Sequence, residues 1–345
     1  MRFNPFTPTP FLLRTVTAVF VLGLCCVACT HDAAKEGEAA APARESFPTL
    51  TKRAPVHFSH AMGPLGDTMR ALGEATEGAF VLMSGLEERS IDAVSYKGTS
   101  YEQVIANLAD AVQAKYVATP HYYLIFPEMY DALQHMSLDD QLSDAYKELK
   151  VGAVFGAKTN LFVLFAALSK SLDITIVADN YIAEARCGEI HLPQLPLGRV
   201  LEAMLQSARI APDTVSIECT DEYIFLKAPQ NENADTTRIS PSDANAGDAM
   251  TERIVSLCLP DCGTEEEEGM VEAASAIPLH EALLPLTEQL GVEIVAQRAL
   301  ADIPINPCIL NNVKLSTALD LLIRQWPLPY FGWEYRNDRI LIRER

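Results

Sequence analysis

One arrangement of apolar residues returns three times along the chain, and it constrains the fold more than any other feature. Its last occurrence, Met270 to Arg343, is the plainest. A short apolar strand, Val271-Glu-Ala-Ala-Ser-Ala276, leads into Ile277-Pro-Leu-His-Glu-Ala-Leu-Leu-Pro-Leu-Thr-Glu-Gln-Leu-Gly291, whose apolar residues recur at helical spacing. Strands follow at Val292 to Ala296 and Ile305 to Leu310, then a second helix from Leu315 to Trp326. Two strands close the chain, Phe331 to Tyr335 and Arg339 to Ile342. The order is β-α-β-β-α-β-β.

The same order reads twice upstream. In the first block, Val56 to Phe58 is a strand, and Leu65, Met69 and Leu72 mark a helix. Phe80-Val-Leu-Met83 and Ile91 to Tyr96 are strands, Tyr101 to Ala114 is a helix, and Lys115 to Ala118 with Tyr122 to Phe126 form a closing hairpin. In the second block, Val151 to Phe155 precedes a helix carrying Leu161, Leu164, Phe165 and Leu168. Strands at Asp173 to Ala178 and Glu189 to Leu192, a helix from Pro196, and strands at Val215 to Cys219 and Tyr223 to Leu226 complete it. Superposing the blocks aligns Val104 and Ile105 with Val200 and Leu201 and with Ala318 and Leu319. One turn later, Leu108, Met204 and Leu322 coincide. The fold class expected is α+β, three small sheets each carrying two amphipathic helices. An edge strand is left unpaired in each, and an exposed edge is a natural place for a partner strand.

The boundaries expected are 1–28 leader, 29–55 tether, 56–127 first module, 128–150 helical spacer, 151–228 second module, 229–252 polar linker, and 253–345 third module with an extra strand at Arg253 to Leu259. In the spacer, Ser137-Leu-Asp-Asp140 reads as a capping box with Asp in place of Glu, and Asp139 and Asp140 as helix N-terminal charges. Leu138, Leu142, Ala145 and Leu149 share a stripe that should lie on a neighbouring domain. Glu265-Glu-Glu-Glu268 is a run of like charge, read as a solvated loop.

Ile277 to Val295, with its Pro-Leu entry, Ala-Leu and a glycine before an apolar strand, resembles the opening of the secretin and TonB short N-terminal domain, the family that includes the N0 domain of secretins. Val313-Lys-Leu-Ser-Thr-Ala-Leu-Asp-Leu-Leu322 and Arg339-Ile-Leu-Ile-Arg343 resemble the same family further on. The second block matches less closely, since Leu172 runs into Asp173 with no glycine, and the first block least. The resemblance implies a docking module of the bacterial envelope, joining secretin rings or outer-membrane receptors to secretin, pilus or TonB-type components. The chain stops after the third block, with no room for a pore-forming or receptor barrel. An adaptor is expected rather than the channel. A signalling or ligand-sensing protein is the alternative.

Arg2 and Arg14 flank a leader whose apolar stretch, Val16 to Ala28, has the layout of a secretory signal. Leu24-Cys-Cys-Val-Ala-Cys29 resembles a bacterial lipobox, with Cys29 as the lipidated residue and an ordinary cleaved leader or a short uncleaved anchor as alternatives. Thr30 in place of Asp then points, by resemblance to the bacterial sorting rule, to the outer membrane, facing the periplasm. Removing the leader with Arg2 and Arg14 takes the formal charge from -19 to -21. So acidic a chain will not hold nucleic acid through counterion release, and contact with membrane falls to the N-terminal lipid. His31 to about Lys52, rich in Ala, Glu and Pro, reads as a disordered tether.

Beyond the leader stand Cys187, Cys219, Cys258, Cys262 and Cys308. In an exported chain these are candidate disulfides. Cys258 and Cys262 can close a small loop, Cys187 and Cys219 can bridge two strands, and one cysteine is left over. A zinc site at Cys258 and Cys262 lacks a second ligand pair, so no metal is expected. No cofactor is expected either. The chain has no phosphate-binding glycine loop, no Gly-x-Ser-x-Gly elbow and no His-Glu-x-x-His, and an enzyme is not the reading. His57 and His60 fall on opposite faces of one strand, and His191 and His280 sit exposed at element ends. Tyr330, Phe331, Trp333 and Tyr335 form a candidate interaction patch, although alternation makes at least half of them core.

Overall fold

Leu65, Met69 and Leu72 are fully buried along one face of the first helix, α1 (Leu65–Thr76), as their spacing predicts. The computed structural model describes residues 54–130, 138–230, 249–259, 275–326 and 331–344. The leader with Cys29, all of the tether but Ala54 and Pro55, Ser137, most of the polar linker, Cys262, the acidic run and Val271 lie outside the described residues.

Before α1, strand β1 (Val56–His60) pairs antiparallel with β5 (Val94–Thr99), and the two-residue β2 (Gly63–Pro64) pairs with β4 (Ser90–Ile91). After it, β3 (Phe80–Leu82) runs parallel to β7 (Tyr123–Pro127), which forms a hairpin with β6 (Ala114–Ala118). The second helix, α2 (Tyr101–Ala111), opens at Ser100, whose Oγ accepts the Gln103 N–H at 3.2 Å and satisfies a donor the helix cannot. Val104, Ile105 and Leu108 on its inner face are fully buried, which is worth roughly 2 kcal/mol each against exposure.

The middle stretch repeats these pairings. Strand β8 (Lys150–Phe155) pairs antiparallel with β10 (Ile190–Pro196). After α4 (Leu161–Leu172), β9 (Ile176–Ala178) runs parallel to β12 (Ile224–Lys227), and β12 forms a hairpin with β11 (Ser216–Cys219). A single helical turn, α5 (Asn180–Ala183), follows β9. The last stretch repeats the pairings again. Strand β13 (Ile254–Leu259) pairs with β17 (Cys308–Lys314), β14 (Ile277–Pro278) with β16 (Pro304–Ile305), and β15 (Glu293–Ala296) runs parallel to β19 (Arg339–Glu344), with β18 (Phe331–Arg336) beside it. Helix α6 (Leu197–Ser207) stands where α2 does, and α9 (Leu315–Arg324) follows suit. The interval from the start of one helix to the next is 36 residues each time: Leu65 to Tyr101, Leu161 to Leu197 and Leu279 to Leu315. Main-chain bonds recur with it. Leu65, Leu161 and Leu279 donate to Arg89, Ala185 and Ile303 at 2.8 Å, and Met83, Asp179 and Gln297 donate to Ile125, Leu226 and Ile342. The fold is mixed α+β, built of small sheets and helices.

The first helix of each stretch ends on a left-handed residue: Glu77 (φ 51), Asp173 (φ 54) and Gly291 (φ 67). The glycine missing at Asp173 has not changed the turn, because the aspartate adopts the glycine conformation at a cost of about 1 kcal/mol. Asp173→Gly is therefore expected to raise the urea midpoint, by a stability gain of about 0.5–1 kcal/mol. A midpoint that stays put or falls refutes this.

Three local expectations are corrected. The helix expected over Ile277 to Gly291 is split into α7 (Leu279–Ala282) and α8 (Leu284–Leu290), because Pro285 has no N–H to give and its ring crowds the preceding turn. Strand β13, expected as an extra strand, pairs as β1 and β8 do, while Ser275 and Ala276 are not in a strand. The spacer forms a 3-10 turn (Leu138–Gln141) followed by α3 (Asp144–Lys147). Its stripe runs through Leu138, Leu142 and Tyr146, and Ala145 is exposed. It packs on α6, so that even Glu202, Gln206 and Ser207 of that helix are buried. Arg199 bonds Glu202 at 3.0 Å, and Tyr122 Oη donates to Gln206 Oε1 at 2.7 Å, which satisfies the polar groups so enclosed.

Candidate functional site

In each stretch the strand after the first helix pairs on one side only within its own hairpin sheet, which leaves a row of backbone groups to be satisfied. The first such edge, on β3, is taken by β10. Ile190 lies opposite Val81 and His191 opposite Phe80, and Leu82 N donates to Glu189 O at 2.8 Å. The result is a continuous five-stranded sheet, β6-β7-β3-β10-β8. Glu189 is buried there. Its carboxylate accepts both Arg70 Nε and Nη2, at 2.7 and 2.8 Å, and the Ala157 N–H at 3.0 Å. The carboxylate bonds in turn raise the Arg70 guanidinium above its ordinary value. His191 stacks on Phe80 with ring centroids 5.8 Å apart. A single apolar core runs from Val56 to Ala228 across this junction.

The second edge, on β9, is closed by side chains. Strand β17 carries a bulge at Asn311 and Asn312, the latter at positive φ, and the bulge faces the end of α4. Asn311 N donates to Thr175 Oγ1 at 2.8 Å, and its Nδ2 donates to the carbonyls of Ser169 and Ile174 at 3.0 and 2.9 Å. Nearby, Arg324 is only 2% exposed. It grips Glu218 through two nitrogens and lies over the Phe225 ring, 4.3 Å from its centroid. Burial pushes the Glu218 carboxyl up, but bonds from Arg324 and Tyr223 outweigh it and hold it below its ordinary value. Val177 and Phe225 of the middle stretch belong to the core of the last one.

The third edge, on β15, has no strand beside it among the described residues. Its exposure agrees. Phe80, Val81 and Leu82 are fully buried and Ile176, Val177 and Ala178 nearly so, whereas on β15 only Ile294 is buried. Beside it, Leu284 of α8 is 55% exposed, and Thr287 Oγ1 is shielded from water without a hydrogen-bond partner. At the other end of the series, β5 pairs only with β1, and its outer edge is equally unpaired among the described residues.

The residues singled out by sequence fall elsewhere. Cys187 and Cys219 do not pair; both are free thiols, Cys187 in the loop before β10 and Cys219 at the end of β11. Cys187 is buried, its Sγ donating to Gly156 O at 3.5 Å, while Cys219 Sγ accepts the Ser143 N–H. Burial pushes the thiols of Cys187 and Cys308 up to about 12. Cys258 is disulfide-bonded, and Cys262 lies outside the described residues. The aromatic patch is corrected too. Trp333 is fully buried and donates Nε1–H to Asp320 at 2.7 Å, and Phe331 and Tyr335 share its inner face, as the period of two requires. Tyr330 lies outside the described residues.

His57 and His60 do separate, with His57 exposed and His60 at 3.1 Å from Thr68 Oγ1. His191, expected exposed, is half-buried at the first junction, and His280 is exposed. A groove of about 730 Å³ brings His57, His121 and Glu74 to one surface beside Pro193. Sequence reasoning missed Arg70, Glu189, Asn311 and Arg324. The repeat itself could not have found them, because the equivalent positions carry other residue types, Leu284 for Arg70 and Ala93 for Glu189. Among the described residues no helix is long and apolar enough to cross a membrane. Comparison with family models, with characterised proteins and with solved structures gave no match to this chain.

Proposed function

We propose that the chain is a string of three secretin N0-like modules, with the helical segment at 128–150 and the polar linker at 229–252 between them, acting as a docking adaptor for an envelope machine. The observation that carries this is the repeated use of one device: the strand before a second helix seats against the sheet edge of the preceding module, by main chain at β10 and β3 and through Asn311 at β9. A protein made of edges that recognise edges is suited to assembly, and strand addition is a common mode of partner recognition. In this reading Cys29 carries the lipid that holds the chain to the outer membrane, the modules face the periplasm, and secretin-type or pilus components are the partners. The acidic balance, -19 over the chain, keeps nucleic acid out of the list.

The test is capture of the tagged full chain from an envelope extract of its own cell, with fatty-acid labelling in parallel. Recovery of secretin, pilus or TonB-system components, with label lost in Cys29→Ser, is the expected result. Capture of none of these overturns the adaptor role, and label unchanged in Cys29→Ser overturns the anchor.

A further inference from the structure

The open edges at the two ends of the series are complementary. We infer that a second copy of this chain supplies the strand that β15 lacks among the described residues: β5 of one molecule seats on β15 of the next, head to tail, as β10 seats on β3 within the chain. This rests on the threefold repeat proposed above. Such an interface is heterologous, with different surfaces on the two partners, so it builds an open series or a ring rather than a two-fold dimer.

The constant interval of 36 residues lets each position of the new junction be matched to the two that exist. Lys97 stands where Asn311 does, four residues before its helix. Thr287 and Val292 match Ser169 and Ile174, the two residues whose carbonyls Asn311 binds, and Glu293 matches Thr175, which binds the Asn311 N–H. In the new junction the Lys97 ammonium therefore faces the carbonyl end of α8 and the carboxylate of Glu293. Both attract a cation. Thr287, whose Oγ1 has no partner, sits at this spot. Gly98 and Asn312 both take positive φ in the bulge beside it, φ 70 and φ 51, so β5 already has the shape that β17 uses.

The apolar positions agree as well. Arg70 and Glu189, which bond at the first junction at 2.7 Å, correspond to Leu284 and Ala93. Two oppositely charged groups are replaced by two apolar ones, and both are exposed in the isolated chain. Leu82, whose N–H reaches across to Glu189, corresponds to Ala296 on the open edge.

Sedimentation velocity of the full chain tests the assignment. The expected result is a sedimentation coefficient that rises with concentration between about 1 and about 100 μM, the range of a modest interface. Ala296→Pro, which removes the outward N–H, and Lys97→Glu, an exposed change that leaves the fold alone, should each weaken association at least about tenfold. Glu293→Lys should do the same, and mixing it with Lys97→Glu should restore association. A chain that stays monomeric throughout overturns the proposal, as does association that Lys97→Glu and Glu293→Lys leave unchanged. A monomer that still captures envelope components removes self-association and leaves the adaptor role standing; an associating chain that captures none does the reverse.

Discussion

Arg324→Ala is expected to lower the stability of the last stretch by about 3 kcal/mol, read as an earlier first transition in urea. The residue is buried, forks onto Glu218 and stacks on Phe225, and alanine strips all three interactions at once. Arg324→Lys retains the charge but neither the fork nor the flat stack, and should recover less than half of the loss. The pH dependence follows from Glu218. Its carboxyl is held below its ordinary value in the folded chain, so its contribution is fully present above the unfolded value and is lost as pH falls through the folded one. Stability should therefore fall on acidification below the ordinary carboxylate range, and that fall should be shallower in Arg324→Ala. A midpoint that Arg324→Ala leaves unchanged would show that Arg324 does not hold the junction.

Gly188→Ala should be at least as damaging, although it adds one methyl group. A Cβ there would lie 1.9 Å from the Leu82 carbonyl oxygen and 2.8 Å from its carbon. These are backbone atoms that cannot rotate away. β10 must leave β3, losing the Leu82 to Glu189 bond and exposing part of the joint core, for a cost of about 3 kcal/mol or more. Gly152→Ala on neighbouring β8 is the control. Its Cβ would meet nothing closer than 3.5 Å, and it should be neutral to within about 0.5 kcal/mol. Equal midpoints for the two variants would refute the close approach.

Local order was legible where periodicity and burial coincide. Val104, Val200 and Ala318, and one turn later Leu108, Met204 and Leu322, are fully buried at matching points of three helices. The junctions were not legible, because a strand's sequence reports which face is buried and not which neighbour it pairs with. Glu189 to Leu192 reads as half-polar for that reason. Its glutamate is buried by an arginine 119 residues upstream. At the chain end, alternation already marks at least half of the aromatics as core, and β18 turns 331, 333 and 335 to one inner face. The first strand of the last stretch was hidden by distance. Residues 260–276 separate β13 from β14, where only two residues separate β1 from β2.

The two internal junctions are made of different material, and this gives the chain an order of yielding under load. Between the first and middle stretches, tension must break a main-chain ladder and a shared core together. Between the middle and last stretches it meets no ladder but separate grips, Asn311 at the bulge, Arg324 on Glu218 and one main-chain bond from Asn180 to Gln325, with Val177 and Phe225 seated across the gap. A pull on the two ends of the chain is therefore expected to part the second junction first. The last stretch then serves as the slack in the line, giving way while the five-stranded sheet behind it holds.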